Sequence, residues 1–226
     1  MIAPYYEDAA SGITIYHGDC RDVLPTLAPV DLLLTDPPYG ILNLQGNGST
    51  PCVRKSRRQQ GSGTLKNRLL NRSNVEWDIA PTAIELDAAF AKSNKRIVWG
   101  GNYFPLPPTR AVLVWDKCQP WPNFSQVEVA WTDLERPAAL FKHDKSDIDG
   151  KIHPTQKPEP LMRWCIGLAG ESVKTILDPY MGSGTTLLAA KMEGRRAIGI
   201  EIEERYCEIA ANRLRQGVLF GLSDND

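Results

Sequence analysis

Short apolar runs alternate along the chain with stretches of helical periodicity. Ile13 to Tyr16, Asp31 to Thr35, Arg96 to Trp99, Ala111 to Trp115, Val127 to Trp131, Thr175 to Leu177 and Ala197 to Ile200 read as strands. Residues 21–27, 83–93, 159–168, 185–193 and 203–214 read as helices. Pro81 stands near the start of the second of these, and Gly170 and Gly194 close the third and fourth. Buried strands separated by helices predict an α/β fold built on a mostly parallel sheet of seven strands. The runs at 111–115 and 127–131 have no helix between them, so the sheet is expected to carry an antiparallel edge pair. Trp115 and Trp131 fall inside strands and are expected in the core, whereas Trp121 lies outside any run.

A chain of 226 residues is long enough for one such core, and 1–226 is read as a single domain. The pattern breaks at 41–75, where Gly46, Gly48, Gly61 and Gly63 lie among polar residues. This insertion is expected to be mobile when unbound. The net charge of −1 hides an asymmetry there. Arg54, Lys55, Arg57, Arg58, Lys66, Arg68 and Arg72 stand in the insertion without one Asp or Glu, while the rest of the chain holds 19 basic and 27 acidic residues. A basic patch on an acidic body suits a polyanion. Five scattered cysteines without a C-x-x-C pair argue against a disulfide framework or a zinc site, and for a reducing compartment. No apolar run approaches the length of a membrane span, and the N-terminus lacks the basic-then-apolar pattern of a secretory signal. A soluble, cytoplasmic protein with no membrane partner is expected.

The strand ending at Thr35 runs straight into Asp36-Pro37-Pro38-Tyr39. Prolines end it abruptly and remove N–H groups, so the turn offers carbonyl oxygens, a carboxylate and an aromatic ring. Acceptors for two hydrogens beside a stacking surface suit a planar ring carrying an exocyclic amine. A second turn, Asp178-Pro179-Tyr180-Met181-Gly182-Ser183-Gly184-Thr185, lies between a strand and a helix, and a later strand ends in Glu201. In open α/β sheets ligands bind at such carboxyl ends, and a strand-end acid can accept from ribose hydroxyls. On these residues alone a dinucleotide site stays open. Against it, Leu187 stands where the third glycine of that fingerprint belongs, and Asp178 would repel a pyrophosphate.

Three blocks carry a resemblance: Asp36-Pro37-Pro38-Tyr39, the 178–185 loop, and Lys151-Ile152-His153-Pro154-Thr155-Gln156-Lys157-Pro158. Their order resembles that of the DNA amino-methyltransferases (adenine-N6 and cytosine-N4), in the permuted β group, whose catalytic block precedes the cofactor block. The resemblance spans about residues 13 to 214. It implies a Rossmann-like S-adenosylmethionine-dependent methyltransferase fold. Asp36, Pro37, Pro38 and Tyr39 would be catalytic: Asp36 and the Pro37 carbonyl take the two amine hydrogens, and Tyr39 stacks on a base flipped from the duplex. S-adenosylmethionine would be held by Asp178 and the Gly182, Ser183, Gly184 and Thr185 loop at its methionine half. Glu201 would hold the ribose, Asp19 would lie near the adenine amine, Thr155 and Lys157 near the methionyl carboxylate, and Asp36 would face the methyl group.

The resemblance also implies double-stranded DNA as partner, and the charge of the insertion makes Arg54, Lys55, Arg57, Arg58, Lys66 and Arg68 the expected phosphate clamp. Family members usually carry sequence recognition between the last strands and the His-Pro-Thr block. Here that segment, 133–150, is short and holds Asp144, Asp147 and Asp149, so either the insertion or a homodimer partner is expected to share the task, or specificity is expected to be relaxed. A cognate restriction endonuclease belongs to the same picture. Cytosine-N4 members more often carry Ser at position 36, which favours adenine. A non-catalytic nucleic-acid-binding protein on the same fold is the alternative of a different class, and an oxidoreductase is third.

Overall fold

The computed structural model describes residues 2–40, 80–119, 125–144 and 156–220, the last four of these by backbone only. Two compact units divide the chain: Met1–Pro37 with Thr82–Asp226, and Pro38–Pro81. The second unit contains the basic insertion. It is described only at its two ends, where Gly40, at φ +69°, passes close to Ala80. The expectations on residues 41–75 therefore lie outside the described residues.

The first unit is one twisted sheet with helices. In chain order it contains β1 (Tyr6–Asp8), β2 (Ile13–His17), α1 (Cys20–Val23), β3 (Val30–Thr35), α2 (Ala83–Phe90), β4 (Ser93–Trp99) and β5 (Ala111–Asp116). There follow β6 (Val127–Thr132), β7 (Ala139–Lys142), α3 (Glu159–Ala169), β8 (Thr175–Asp178), α4 (Thr185–Met192), β9 (Arg196–Glu201) and α5 (Glu204–Phe220). Among the described residues the sheet has nine strands in the order β1-β2-β9-β8-β3-β4-β6-β5-β7. The seven strands read from the apolar runs are all present. Two short strands extend the sheet at its ends, β1 antiparallel to β2 and β7 parallel to β5.

That addition corrects one expectation: the antiparallel pair β5–β6 is present, but β7 takes the edge beyond it. Within the segment read as 133–150, Ala139–Lys142 forms β7. The Trp115 indole fastens this end by donating to the His143 carbonyl at 3.0 Å. Residues 145–150 lie outside the described residues.

The apolar periodicities account for the packing. On α3, Leu161, Met162, Cys165, Ile166 and Ala169 form one buried stripe against the sheet. Thr82 and Glu85 close a capping box at the start of α2, the Thr82 hydroxyl accepting from the Glu85 N–H and the Glu85 carboxylate from that of Thr82. Asp31, the one charge in β3, accepts from the N–H groups of Lys174 and Thr175 and from the Thr175 hydroxyl. It thereby pins the start of β8 to the start of β3. Trp115 and Trp131 are both buried, as expected. No helix among the described residues is long and apolar enough to cross a membrane.

Candidate active site

Strands β2, β9, β8 and β3 are mutually parallel neighbours, so their carboxyl ends open on one edge of the sheet. Along that edge stand, in spatial order, Asp19 after β2, Glu201 at the end of β9, Asp178 at the end of β8 and Asp36 after β3. Three strand spacings of about 4.8 Å put the first and last roughly 14 Å apart, the reach of an elongated ligand. Four carboxylates drawn from distant parts of the sequence thus share one rim.

Asp178 is the most deeply buried of them. It accepts from the Thr35 hydroxyl at 2.7 Å and from the Tyr180 N–H at 3.2 Å. Burial pushes its carboxyl up to about 6, against the pull of hydrogen bonds from Thr186, Thr35 and the Tyr180 N–H; the negative charge of Asp36 adds to the rise. A carboxylate so placed has hydrogen-bond donors around it and is completed by a cation.

The loop after Asp178 is shaped by close contacts. Gly184 sits at φ +78°, and a Cβ there would come within 2.7 Å of the Ala210 Cβ on α5. The Arg213 guanidinium, also on α5, donates to the Ser183 carbonyl and lies 3.3 Å from the Thr185 hydroxyl. The Ser183 hydroxyl donates to Gln156. Glu201 accepts from the N–H groups of Gly182 at 2.9 Å and Glu203 at 2.8 Å, and burial raises its carboxyl. Each carboxylate oxygen has a second lone pair, so these bonds leave acceptor capacity for a diol. Gly184→Ala is expected to cost about 1–3 kcal/mol of stability through strain at a positive φ, and at least about tenfold in cofactor affinity. Thermal melts and calorimetry check both.

Asp19 caps α1 by accepting from the Arg21 N–H and pairs with the Arg21 side chain, which lowers its carboxyl. Lys157, expected near the methionyl carboxylate, is buried with its ammonium 2.5 Å from Asp36 Oδ2 and 3.0 Å from Glu128 Oε2. A buried ammonium takes the nearest anions, and these two supply them. Pro37 is buried at the end of the first unit, and Pro38 and Tyr39 open the second. Thr155 and the basic residues Arg54, Lys55, Arg57, Arg58, Lys66 and Arg68 lie outside the described residues.

Sequence reading missed Thr35, Gln156, Arg213, Glu128 and Lys117. Thr35 and Glu128 carried a signal, each a polar residue within an apolar strand.

A sequence model of the DNA methylase family, covering N6 and N4 enzymes, matches residues 91–212. The chain is a DNA methylase of this family. Among curated proteins, the methylase is similar to the type II methyltransferase M2.LlaDCHI of Lactococcus lactis subsp. cremoris, 27% identical over 98% of this chain and 96% of that one. It is also similar to M.ScaI of Streptomyces caespitosus, 26% identical over 93% and 83% of the two chains. Among solved structures, the M1.HpyAVI–SAM complex superposes with a TM-score of 0.58 at 22% identity, covering 89% of this chain and 98% of that one. The cytosine-N4-specific PvuII DNA methyltransferase gives 0.58 at 17%, covering 95% of each. At these identities the structures establish the fold, which is that of S-adenosylmethionine-dependent methyltransferases.

The methylase therefore uses S-adenosylmethionine, and the rim fits it. The cofactor is cationic at its methionyl amine and carries a ribose diol, matching a buried Asp178 with no ion pair among the described residues and a Glu201 with acceptor capacity to spare. When bound, it supplies an electrophilic methyl group on a sulfonium. Its reaction is methylation of an amino group of a DNA base.

Proposed function

We propose that the methylase modifies the N6 amine of adenine in double-stranded DNA. The observation that carries this reading is a carboxylate, Asp36, rather than a hydroxyl, at the end of β3. It lies on the same rim as Asp178 and is paired with a buried lysine. An exocyclic amine is a weak nucleophile because its lone pair is delocalised into the ring. Asp36 Oδ and the Pro37 carbonyl accept its two hydrogens and favour a pyramidal nitrogen. Asp36 then stabilises the positive charge that grows there during in-line attack. Tyr39 stacks on the flipped base and offsets part of the lost stacking, roughly 1–3 kcal/mol.

Asp178 with Gly182, Ser183, Gly184 and Thr185 holds the methionine half of the cofactor, and Glu201 the ribose. Asp19, tied to Arg21, borders the adenine end. The basic insertion clamps phosphates. Neutralising Arg54, Lys55, Arg57 and Arg58 together is expected to weaken DNA binding and to lower the slope of log affinity against log salt by about 3–4. An unchanged slope, read by fluorescence anisotropy at several salt concentrations, would remove the clamp from the scheme. The relatives' type II names support a restriction–modification setting with a cognate endonuclease, and the short 133–150 segment supports a second subunit that shares DNA recognition.

The direct test incubates the protein with unmethylated DNA and methyl-labelled S-adenosylmethionine, then digests to nucleosides. Label in N6-methyladenine is the expected result. Label in N4-methylcytosine moves the target base, and binding of cofactor and DNA without transfer favours a non-catalytic role.

A further inference from the structure

Behind Asp36 the structure holds a line of four alternating charges. The Lys157 ammonium lies 2.5 Å from Asp36 Oδ2 and 3.0 Å from Glu128 Oε2, and Glu128 Oε1 lies 2.5 Å from the Lys117 ammonium. The two lysine side chains are 4% and 7% exposed, so neither ammonium is held by bulk water. Indole rings lie near both, Trp99 at 5.9 Å from Lys157 and Trp115 at 5.4 Å from Lys117. The four residues come from separate places: the turn after β3, the segment before α3, the start of β6 and the turn after β5. Burial pushes the Glu128 carboxyl up, but the two ammoniums outweigh it and hold the group down at about 2.

Such a line is a poor stability device, because desolvating four charges offsets most of their attraction and apolar replacements often do as well. Lys157 alone would neutralise Asp36. The further pair has two effects that matter only at a reactive carboxylate. A lysine head on a four-carbon stem rotates freely on one partner, and a second carboxylate fixes it. An ammonium on Asp36 also weakens that residue's field at a nitrogen gaining positive charge, and Glu128 restores part of it.

We infer that Glu128 and Lys117 are positioning residues for methyl transfer, holding the Lys157 ammonium so that Asp36 keeps one orientation and more of its negative field toward the target amine. This rests on the proposed role of Asp36 as acceptor of the amine hydrogens. Neither residue touches cofactor or base; both act through Lys157.

The test compares Glu128→Gln with wild type in single-turnover methyl transfer at saturating DNA and cofactor, with cofactor affinity measured by calorimetry. The transfer rate is expected to fall about 10- to 100-fold while cofactor Kd stays within about 3-fold. In the same samples, NMR of 15N-lysine protein should show a slowly exchanging Lys157 ammonium in wild type that is lost in Glu128→Gln. The double variant Lys117→Met with Glu128→Gln removes a neutral pair, so it keeps the charge balance if the single variant folds poorly. It should show the same loss of rate. An unchanged rate, or a rise in cofactor Kd that matches the rate loss, overturns the positioning role. A wild-type protein that shows the ammonium signal but transfers no methyl group to DNA overturns the proposed function instead, and the positioning role with it.

Discussion

Asp36→Ala is expected to slow methyl transfer by about 10³-fold or more while cofactor affinity stays within about 3-fold. The size follows from two losses at one atom group: alignment of the amine, and stabilisation of the charge it acquires. Folding should survive. Removing Asp36 leaves the buried Lys157 ammonium with Glu128 at 3.0 Å, so the change does not strand an unpaired charge. Single-turnover rates at saturating cofactor, set beside calorimetric Kd values, separate the two quantities. A loss of cofactor binding as large as the loss of rate would reassign Asp36 to the cofactor alone.

Asp178→Asn should stabilise the protein without cofactor and weaken its hold on the cofactor. Because burial raises the folded-state carboxyl from 3.8 to about 6, the folded protein holds that proton more tightly than the unfolded chain. The resulting contribution to stability is present below about pH 4 and is lost as pH rises through about 6, a cost of about 3 kcal/mol at neutral pH. Asparagine removes that cost, and the hydroxyls of Thr35 and Thr186 can turn to accept from its amide. Melts at pH 7 should therefore move up, with little change at pH 4. Cofactor affinity should fall about 10²-fold or more, the penalty for losing one member of a buried charge pair. In wild type the affinity should rise about tenfold between pH 5 and 7 and then level. The slope left in the variant belongs to Glu201, whose carboxyl is also raised. A variant that melts lower at pH 7, or binds cofactor as wild type does, would refute this account of Asp178.

Much of this was legible in the chain. Seven strands announced themselves as apolar runs, most plainly β3 and β8, which are parallel and covered on both faces. Tyr6–Asp8 and Ala139–Lys142 did not, because edge strands can alternate and carry charge. Asp36, Asp178 and Glu201 were readable as strand-end acids. Lys157 was recognised as important, but its partner was not: pairing with Glu128 depends on β6 running antiparallel beside β4, a fact of topology rather than of local pattern. The local partner of Asp19 was not read either: Arg21 stands two residues away and pairs with the carboxylate that the resemblance assigns to the adenine end.

Because β3 and β8 are hydrogen-bonded neighbours, the catalytic turn and the cofactor loop are joined by a backbone ladder and by the Thr35–Asp178 bond. Among the described residues, those between β3 and β8 have no part in that ladder or that bond. The length and surface of the intervening chain can drift in evolution without moving Asp36 relative to Asp178. On the proposed reading, in which the insertion at 41–75 meets the DNA, that insertion is free to diversify, and new target sequences can be acquired while the chemistry is inherited unchanged.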